Sequence, residues 1–411
     1  MTKVHIIFVV ILILAFALRI SWFYSSQTKY KDGEQVSFET TVSSDPKFFG
    51  NSQNFSVNLP TGEIVFVQTV GYPEHNYGDK ISVFGKLKVK LLSKNHQILT
   101  LSFPKIESVK NSENYFLAII NSIRQKIIVD FQSILPKDSA ALLLGIVFGI
   151  KVDFSKTFLA NLKTVGVMHV IAASGMNVTM VGGFFFYIFS LVLKRQWAII
   201  LSVTGILFYD CLAGFQASIV RASVMAIIAF SAQILGKQRD GLYALCLTAL
   251  VMLFWQPNYL TDIGFQLSFA ATLGILVIPR FLKRFENGIT SDLITTISAQ
   301  ITTLPILVSG FGVYSLWSIV VNALVLWTVP ILMILGGLAA ILAFVFKPLV
   351  IILLYLCLPF LLFFEAVVNY FAGLPGALVL QNASWQLVVG YYLILIAILA
   401  FAFQKMQNNH A

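Results

Sequence analysis

The stretch HVIAASGMNV, residues 169–178, places His169, Ser174, Gly175 and Asn177 in an otherwise apolar setting. A serine becomes a nucleophile when a base lies within hydrogen-bond reach, so His169 and Ser174 raise the chemistry of an intramembrane hydrolase. On one continuous helix, residues spaced as these two are point about 140° apart, and they meet only if the helix breaks at Gly175 or before. No third, orienting group is evident. Further along, GFQASIVRASVMA (214–226) buries Arg221 a turn or more inside an apolar helix, where an arginine needs a partner, water or a phosphate. QPNYLTDIGFQLSFAATLG (256–274) holds Asp262 and Gln266. Either is a candidate partner for Arg221, while Asp262 is equally placed to cap a helix starting at Ile263. ISAQITTLPI (297–306) adds Gln300, Thr302 and Thr303, and Asn322, Glu365 and Asn369 follow. Polar side chains at membrane depth face protein or water, not lipid. The spacing therefore predicts a shared polar interior built from His169, Ser174, Gly175, Asn177, Arg221, Asp262, Gln266 and Gln300. The Gly and Pro beside them suit broken helices that line a cavity, although Ser, Thr and Gly in such places also serve plain helix packing.

Helices must carry these groups. The chain has 411 residues, 58% hydrophobic and 11% charged, against about 25% charged in soluble domains. Apolar runs long enough to cross a bilayer recur from residue 165 onward. The fold class predicted is a polytopic α-helical membrane protein with about ten transmembrane helices and a small extracytoplasmic all-β domain. Residues 1–28 read as an N-terminal transmembrane helix, 112–138 as an amphipathic interfacial helix, 139–404 as the main membrane domain and 405–411 as a short cytoplasmic tail. Residues 139–150 are apolar but too short to span, which suits a re-entrant or interfacial piece. Spans are expected near 165–193, 197–214, 216–236, 241–256, 263–279, 290–309, 312–346, 348–372 and 386–404, with Pro330 breaking the long one. Basic clusters at Lys194/Arg195, Lys237/Arg239, Arg280/Lys283/Arg284, Lys347 and Lys405 follow alternate spans. The positive-inside rule then puts both termini in the cytoplasm and residues 25–164 outside.

Residues 29–111 differ in kind. EIVFVQTV (63–70), KISVFGKLKVK (80–90) and QILTLSFPKIESV (97–109) alternate like strands, with a turn at Gly78–Asp79 and a bulge or barrel bend at Gly85. The segment has the size of an OB-like five-stranded barrel. Lys86, Lys88 and Lys90 fall on one strand face. With Phe84 and Phe103 they suit a surface for single-stranded DNA, which combines positive charge with stacking aromatics; the alternative is a plain solvated face. Cys211, Cys246 and Cys357 lie in apolar segments, and the histidines (His5, His75, His96, His169, His410) are scattered, so no disulfide framework, metal site or other cofactor is expected. No glycine-rich phosphate loop is present, so any transport must draw its energy from elsewhere.

Five blocks in order, MHVIAASGMNVTMVGG, AGFQASIVRASVMA, PNYLTDIGFQLSFAATLGIL, AQITTLPILVSGFGVYSLWSIVVN and LPGALV, resemble the membrane competence domain of the bacterial ComEC-type DNA-internalisation proteins. The resemblance runs from about residue 139 to residue 404. It implies a channel, not an enzyme, that passes single-stranded DNA through the inner membrane into the cytoplasm during natural transformation, with residues 169–178 in a broken segment near the DNA path. Two departures stand out. Asn177 takes the place of the family's usual second histidine. The chain stops at Ala411, where many relatives continue into a metallo-β-lactamase-like nuclease domain. The partners implied are single-stranded DNA, the lipid bilayer, and a separate DNA receptor, nuclease and cytoplasmic motor or single-strand-binding proteins. A scaffold for separate uptake proteins is a further reading.

Overall fold

The computed structural model describes residues 16, 18–23, 25, 32–43, 46–49, 52–59, 63–73, 75, 78–93, 96–108, 115–150, 152–171, 175–234, 240–282, 290–311, 313–315, 317–374, 377–379 and 385–408. They form two compact units, Met1–Lys126 with Leu253–Asn258, and Ile127–Met252 with Tyr259–Ala411.

The first unit is built on a curled sheet. Its strands are β1 (Gln35–Thr41), β2 (Lys47–Phe49), β3 (Ser52–Asn58), β4 (Ile64–Val70), β5 (Lys80–Ser93), β6 (His96–Ser102) and β7 (Lys105–Ser108). The order is β1-β5-β6-β4-β3-β2, with β7 also on β5. All pairs are antiparallel except β4 with β6. Strand alternation decides which face is buried: Val65 and Val67 point inward while Ile64, Phe66 and Val70 stay exposed. The long strand β5 changes partners midway, pairing first with β1 and then, from Leu87, with β6. Gly85 sits at that exchange, where a Cβ would come 2.9 Å from Pro104 Cβ, so a larger residue has no room. The bend expected there is a change of partner; the bulge lies further on, between Leu91 and Ser93. Past the end of β1, Val42 bridges Val57, and Ser43 N–H donates to the Ser56 carbonyl at 2.8 Å, so the sheet curls back on itself around the buried side chains.

The second unit is helical. In chain order the helices are α1 (Tyr115–Ile134), α2 (Lys137–Phe148), α3 (Lys156–Val165), α4 (Met168–Ile171), α5 (Gly175–Ser190), α6 (Arg195–Ala213), α7 (Ala217–Ile234), α8 (Gly241–Trp255), α9 (Ile263–Val277), α10 (Pro279–Leu282), α11 (Thr290–Phe311), α12 (Ser318–Val325), α13 (Thr328–Leu342), α14 (Lys347–Ala372) and α15 (Trp385–Asn408); the first and eighth also contribute residues to the other unit. Among the described residues, four segments are long and apolar enough to cross a membrane: Arg195–Ala213, Ala217–Ile234, Ile263–Phe281 and Lys347–Ala372. Five more are apolar but shorter. The predicted N-terminal span falls mostly outside the described residues.

One expected span starts at a helix end and another is divided. Residues 165–193 begin where α3 stops at Gly166, whose left-handed backbone turns its N–H onto the Leu162 and Lys163 carbonyls. Helix α4 follows, and α5 is described from Gly175. Residues 312–346 divide into β8 (Val313–Ser315), paired with β9 (Ala377–Val379), then α12 and α13. The gap between these helices, Leu326–Trp327, precedes Pro330, which has no N–H for the Leu326 carbonyl. The piece at 139–150 is enclosed by protein, every residue of it buried, so it does not lie along a membrane surface. Close packing relies on small residues: α9 meets α11 at Gly274, where a Cβ would lie 2.5 Å from the Ser298 carbonyl oxygen.

Candidate functional site

A helix that ends inside apolar surroundings leaves its last carbonyls without partners unless side chains reach them. Helix α2 ends this way. Gly149 takes a left-handed turn and its N–H caps the Gly145 carbonyl. Three further carbonyl oxygens at this end are met by side chains from elsewhere in the chain. Asn177 on α5 donates its Nδ2 to the Ile146 carbonyl at 2.5 Å and to the Tyr209 hydroxyl at 3.3 Å. Tyr209 on α6 donates to the Val147 carbonyl at 2.8 Å. Gln216 donates its Nε2 to the Gly149 carbonyl at 2.7 Å. Asn177 thus has a definite structural task.

Beside Tyr209, Asp210 is 3% exposed and accepts a hydrogen bond from the Ser223 hydroxyl at 2.6 Å. Sequence reasoning missed both Tyr209 and Asp210. Their signal was available: Asp210 is a carboxylate inside the apolar run of α6.

On α7, Arg221 is 7% exposed. Its NH1 donates to the Thr272 hydroxyl on α9, which itself donates to the Ser268 carbonyl at 2.9 Å. Its guanidinium lies 5.9 Å from the centre of the Phe269 ring. Its NH2 lies against the backbone of Gly175, where a Cβ would be 2.9 Å away. Its Nε is buried without a partner, and no carboxylate among the described residues pairs with it. The expected partners are engaged elsewhere. Asp262 caps α9, accepting from Phe265 N–H at 2.6 Å, and Gln266 donates to the Leu260 carbonyl at 2.8 Å. Thr272 is ten residues beyond Asp262, about 15 Å along the helix axis, so a cap at the start of α9 does not reach the arginine.

The structure therefore brings Gly175 and Arg221 together, places Asn177 at the end of α2, and sets Asp262 and Gln266 apart from both. Gln300 lies half-buried on α11, where Thr302 and Thr303 satisfy their hydroxyls on carbonyls of their own helix. His169 belongs to α4, but its side chain and all of Ser174 lie outside the described residues, as does Lys94. Glu365 accepts from Ser139 at 2.5 Å and Asn369 from Asn161 at 2.9 Å, both between helices. Among the described residues no cluster of His, Cys, Asp or Glu suits a metal ion. In the first unit, Lys86 and Lys88 are exposed on either side of buried Leu87, and Lys90 follows in the same strand. Phe84 and Phe103 are exposed. Register adds an aromatic that the sequence reading overlooked: Lys88 opposes Thr100, which opposes Phe66, 51% exposed.

Four helices among the described residues, long and apolar enough to cross a bilayer, with further apolar helices beside them, point to a membrane protein. Residues 146–405 match the competence protein family, and the chain belongs to that family. It is 27% identical over 234 residues to ComE operon protein 3 of Bacillus subtilis (strain 168), covering 57% of this chain and 30% of that protein. It is also 27% identical over 241 residues to an uncharacterized protein of Aquifex aeolicus (strain VF5), covering 56% of this chain and 53% of that one. The match thus spans about a third and about half of these relatives' lengths. No solved structure is significantly similar.

Proposed function

We propose that this chain acts in DNA uptake for competence, as the inner-membrane channel that passes a single DNA strand into the cytoplasm. The observation that carries the reading is Arg221: a cation deep in the family-matched region, without a carboxylate partner among the described residues. A phosphate backbone supplies what such a cation lacks, whereas a scaffold has no use for it. The first unit serves as an OB-like domain outside the membrane. Two features support this: the parallel pairing of β4 with β6 and the bridge from Val42, just past β1, to Val57 of β3, which together suit a closed five-stranded barrel. Both termini are cytoplasmic, and the receptor, nuclease and motor or single-strand-binding proteins are separate chains. Gene deletion tests the function, with DNA binding, uptake and transformation assayed separately. Loss of transformation with surface DNA binding retained is the expected result; a deletant that transforms normally refutes it. Cysteines placed at Ser52 and Asn287, in an otherwise cysteine-free variant, should react with an impermeant thiol reagent from opposite sides; labelling from the same side refutes the orientation.

A further inference from the structure

A proline inside a helix removes one backbone donor, and the carbonyl four residues earlier loses its partner. Helix α11 carries Pro305 within its span, so the carbonyl affected is that of Ile301. In apolar surroundings such a carbonyl is costly unless a neighbouring helix meets it. Helix α15 does so. The Tyr391 hydroxyl donates to the Ile301 carbonyl at 2.9 Å, and the Tyr392 hydroxyl donates to the adjacent Thr302 carbonyl at 2.7 Å. The same stretch of α11 is loosened from within. Thr302 and Thr303 turn their hydroxyls back onto the Ser298 and Ala299 carbonyls, a bonding that weakens and bends helices. Thr302 is also the joint between three helices. Its carbonyl is held by α15, while its side chain and the Ser298 carbonyl lie against Gly274 of α9. Two residues before Gly274 on α9 stands Thr272, whose hydroxyl takes the bond from Arg221. The glycine leaves no side chain to absorb a displacement, so a shift of α11 at its proline break passes to α9 and from there to the arginine.

We propose that Tyr391 and Tyr392 are positioning residues for Arg221: they brace α11 at the break made by Pro305, and α11 holds α9 and the Thr272 hydroxyl in place. That Arg221 serves the passage of DNA rests on the function proposed above. The brace has a consequence that ordinary packing lacks. Tyr391→Phe keeps the ring and loses only the donor, whereas Pro305→Ala gives the Ile301 carbonyl a backbone N–H of its own. The cost of the first change therefore disappears in the background of the second.

The test uses the full chain purified in a neutral detergent, read by amide hydrogen exchange in peptides covering α11 and α9. Tyr391→Phe together with Tyr392→Phe should speed exchange over residues 298–311 about fivefold to tenfold, the effect of two interhelical hydrogen bonds of average strength, with a smaller rise over 268–277. Tyr391→Phe alone, the milder change, should give about threefold. Adding Pro305→Ala should abolish the effect of Tyr391→Phe, while Pro359→Ala, at the proline within α14, should leave it unchanged. Wild-type exchange over 298–311 in both tyrosine variants, or an acceleration that Pro305→Ala leaves in place, overturns the brace. Acceleration confined to 298–311, with 268–277 as in wild type, overturns its link to Arg221. In cells, Tyr391→Phe should lower transformation severalfold, and Pro305→Ala should restore it. The two readings fail separately. Acceleration and rescue in a chain whose deletion leaves transformation intact keep the brace and overturn the DNA-uptake reading. Loss of transformation on deletion, with normal transformation by the variants that exchange faster, overturns the positioning role alone.

Discussion

Removing the Tyr209 hydroxyl measures how much the buried end of α2 depends on side chains from its neighbours. Tyr209→Phe leaves the ring, 4% exposed, in place and opens no cavity beyond one oxygen atom. What is lost is the 2.8 Å bond to the Val147 carbonyl and the 3.3 Å contact from Asn177. A buried acceptor left without a partner costs about 1–3 kcal/mol. Interhelical hydrogen bonds in membrane proteins average nearer 0.6 kcal/mol, because the reference state also finds partners. Val147 is buried in a helix enclosed by protein, so a value above that average applies, about 1–2 kcal/mol. The assay is reversible unfolding of the purified chain by titrating a denaturing detergent into mixed micelles. Asn177→Ala should cost at least as much, since it strips the Ile146 carbonyl and leaves a void. The double variant should depart from additivity by roughly 0.5 kcal/mol or more, as expected of groups sharing a network. If Tyr209→Phe stays within about 0.3 kcal/mol of wild type and the pair is additive, the carbonyls of α2 are satisfied by other means and the capping argument fails.

Other expectations follow from the same geometry. Gly274→Ala drives a Cβ into the Ser298 backbone, which cannot yield as a side chain would, and should destabilise by about 1–3 kcal/mol; Gly337→Ala, with nothing within 4 Å, should be neutral or stabilise by up to about 1 kcal/mol. Equal effects in the same unfolding assay would refute the close-packing account of α9 and α11. Burial holds the His75 imidazole below its ordinary value of 6.5, with Asp79 opposing the shift. The unfolded chain then binds the proton more readily, so stability is full above pH 6.5 and falls as pH drops from there toward the folded value. His75→Gln should flatten that part of the stability–pH curve of the first unit, and an unchanged slope would exclude His75 as its source. Changing Lys86, Lys88 and Lys90 together to Gln should flatten the salt dependence of single-stranded DNA binding by the full chain, because each phosphate contact releases counter-ions. Phe66→Ala should weaken that binding with the salt slope kept; an unaltered affinity would remove Phe66 from the surface.

Much of the architecture is written in local periodicity. Apolar runs set the membrane helices, and alternation set β4, β5 and β6, because both patterns repeat within a few residues of each other. Strand β3 escaped because Gln53 occupies an inward position: its amide donates to the Val70 and Pro73 carbonyls and accepts from His75 N–H, so a buried polar residue interrupts the alternation. The unusual residue types at Asn177 and Arg221 were also legible, since polar groups in apolar helices are costly enough to mark themselves. Their tasks were not. Asn177 is set by a helix end 31 residues earlier in the chain, and Arg221 by a threonine 51 residues later, while Asp262, the charge-complementary choice, caps its own helix. Sequence alone determined that these groups must be satisfied, because the energy of burying a donor or an acceptor belongs to the residue. Only the tertiary structure decided by what, because a hydrogen bond depends on which helix end or hydroxyl the packing brings within reach.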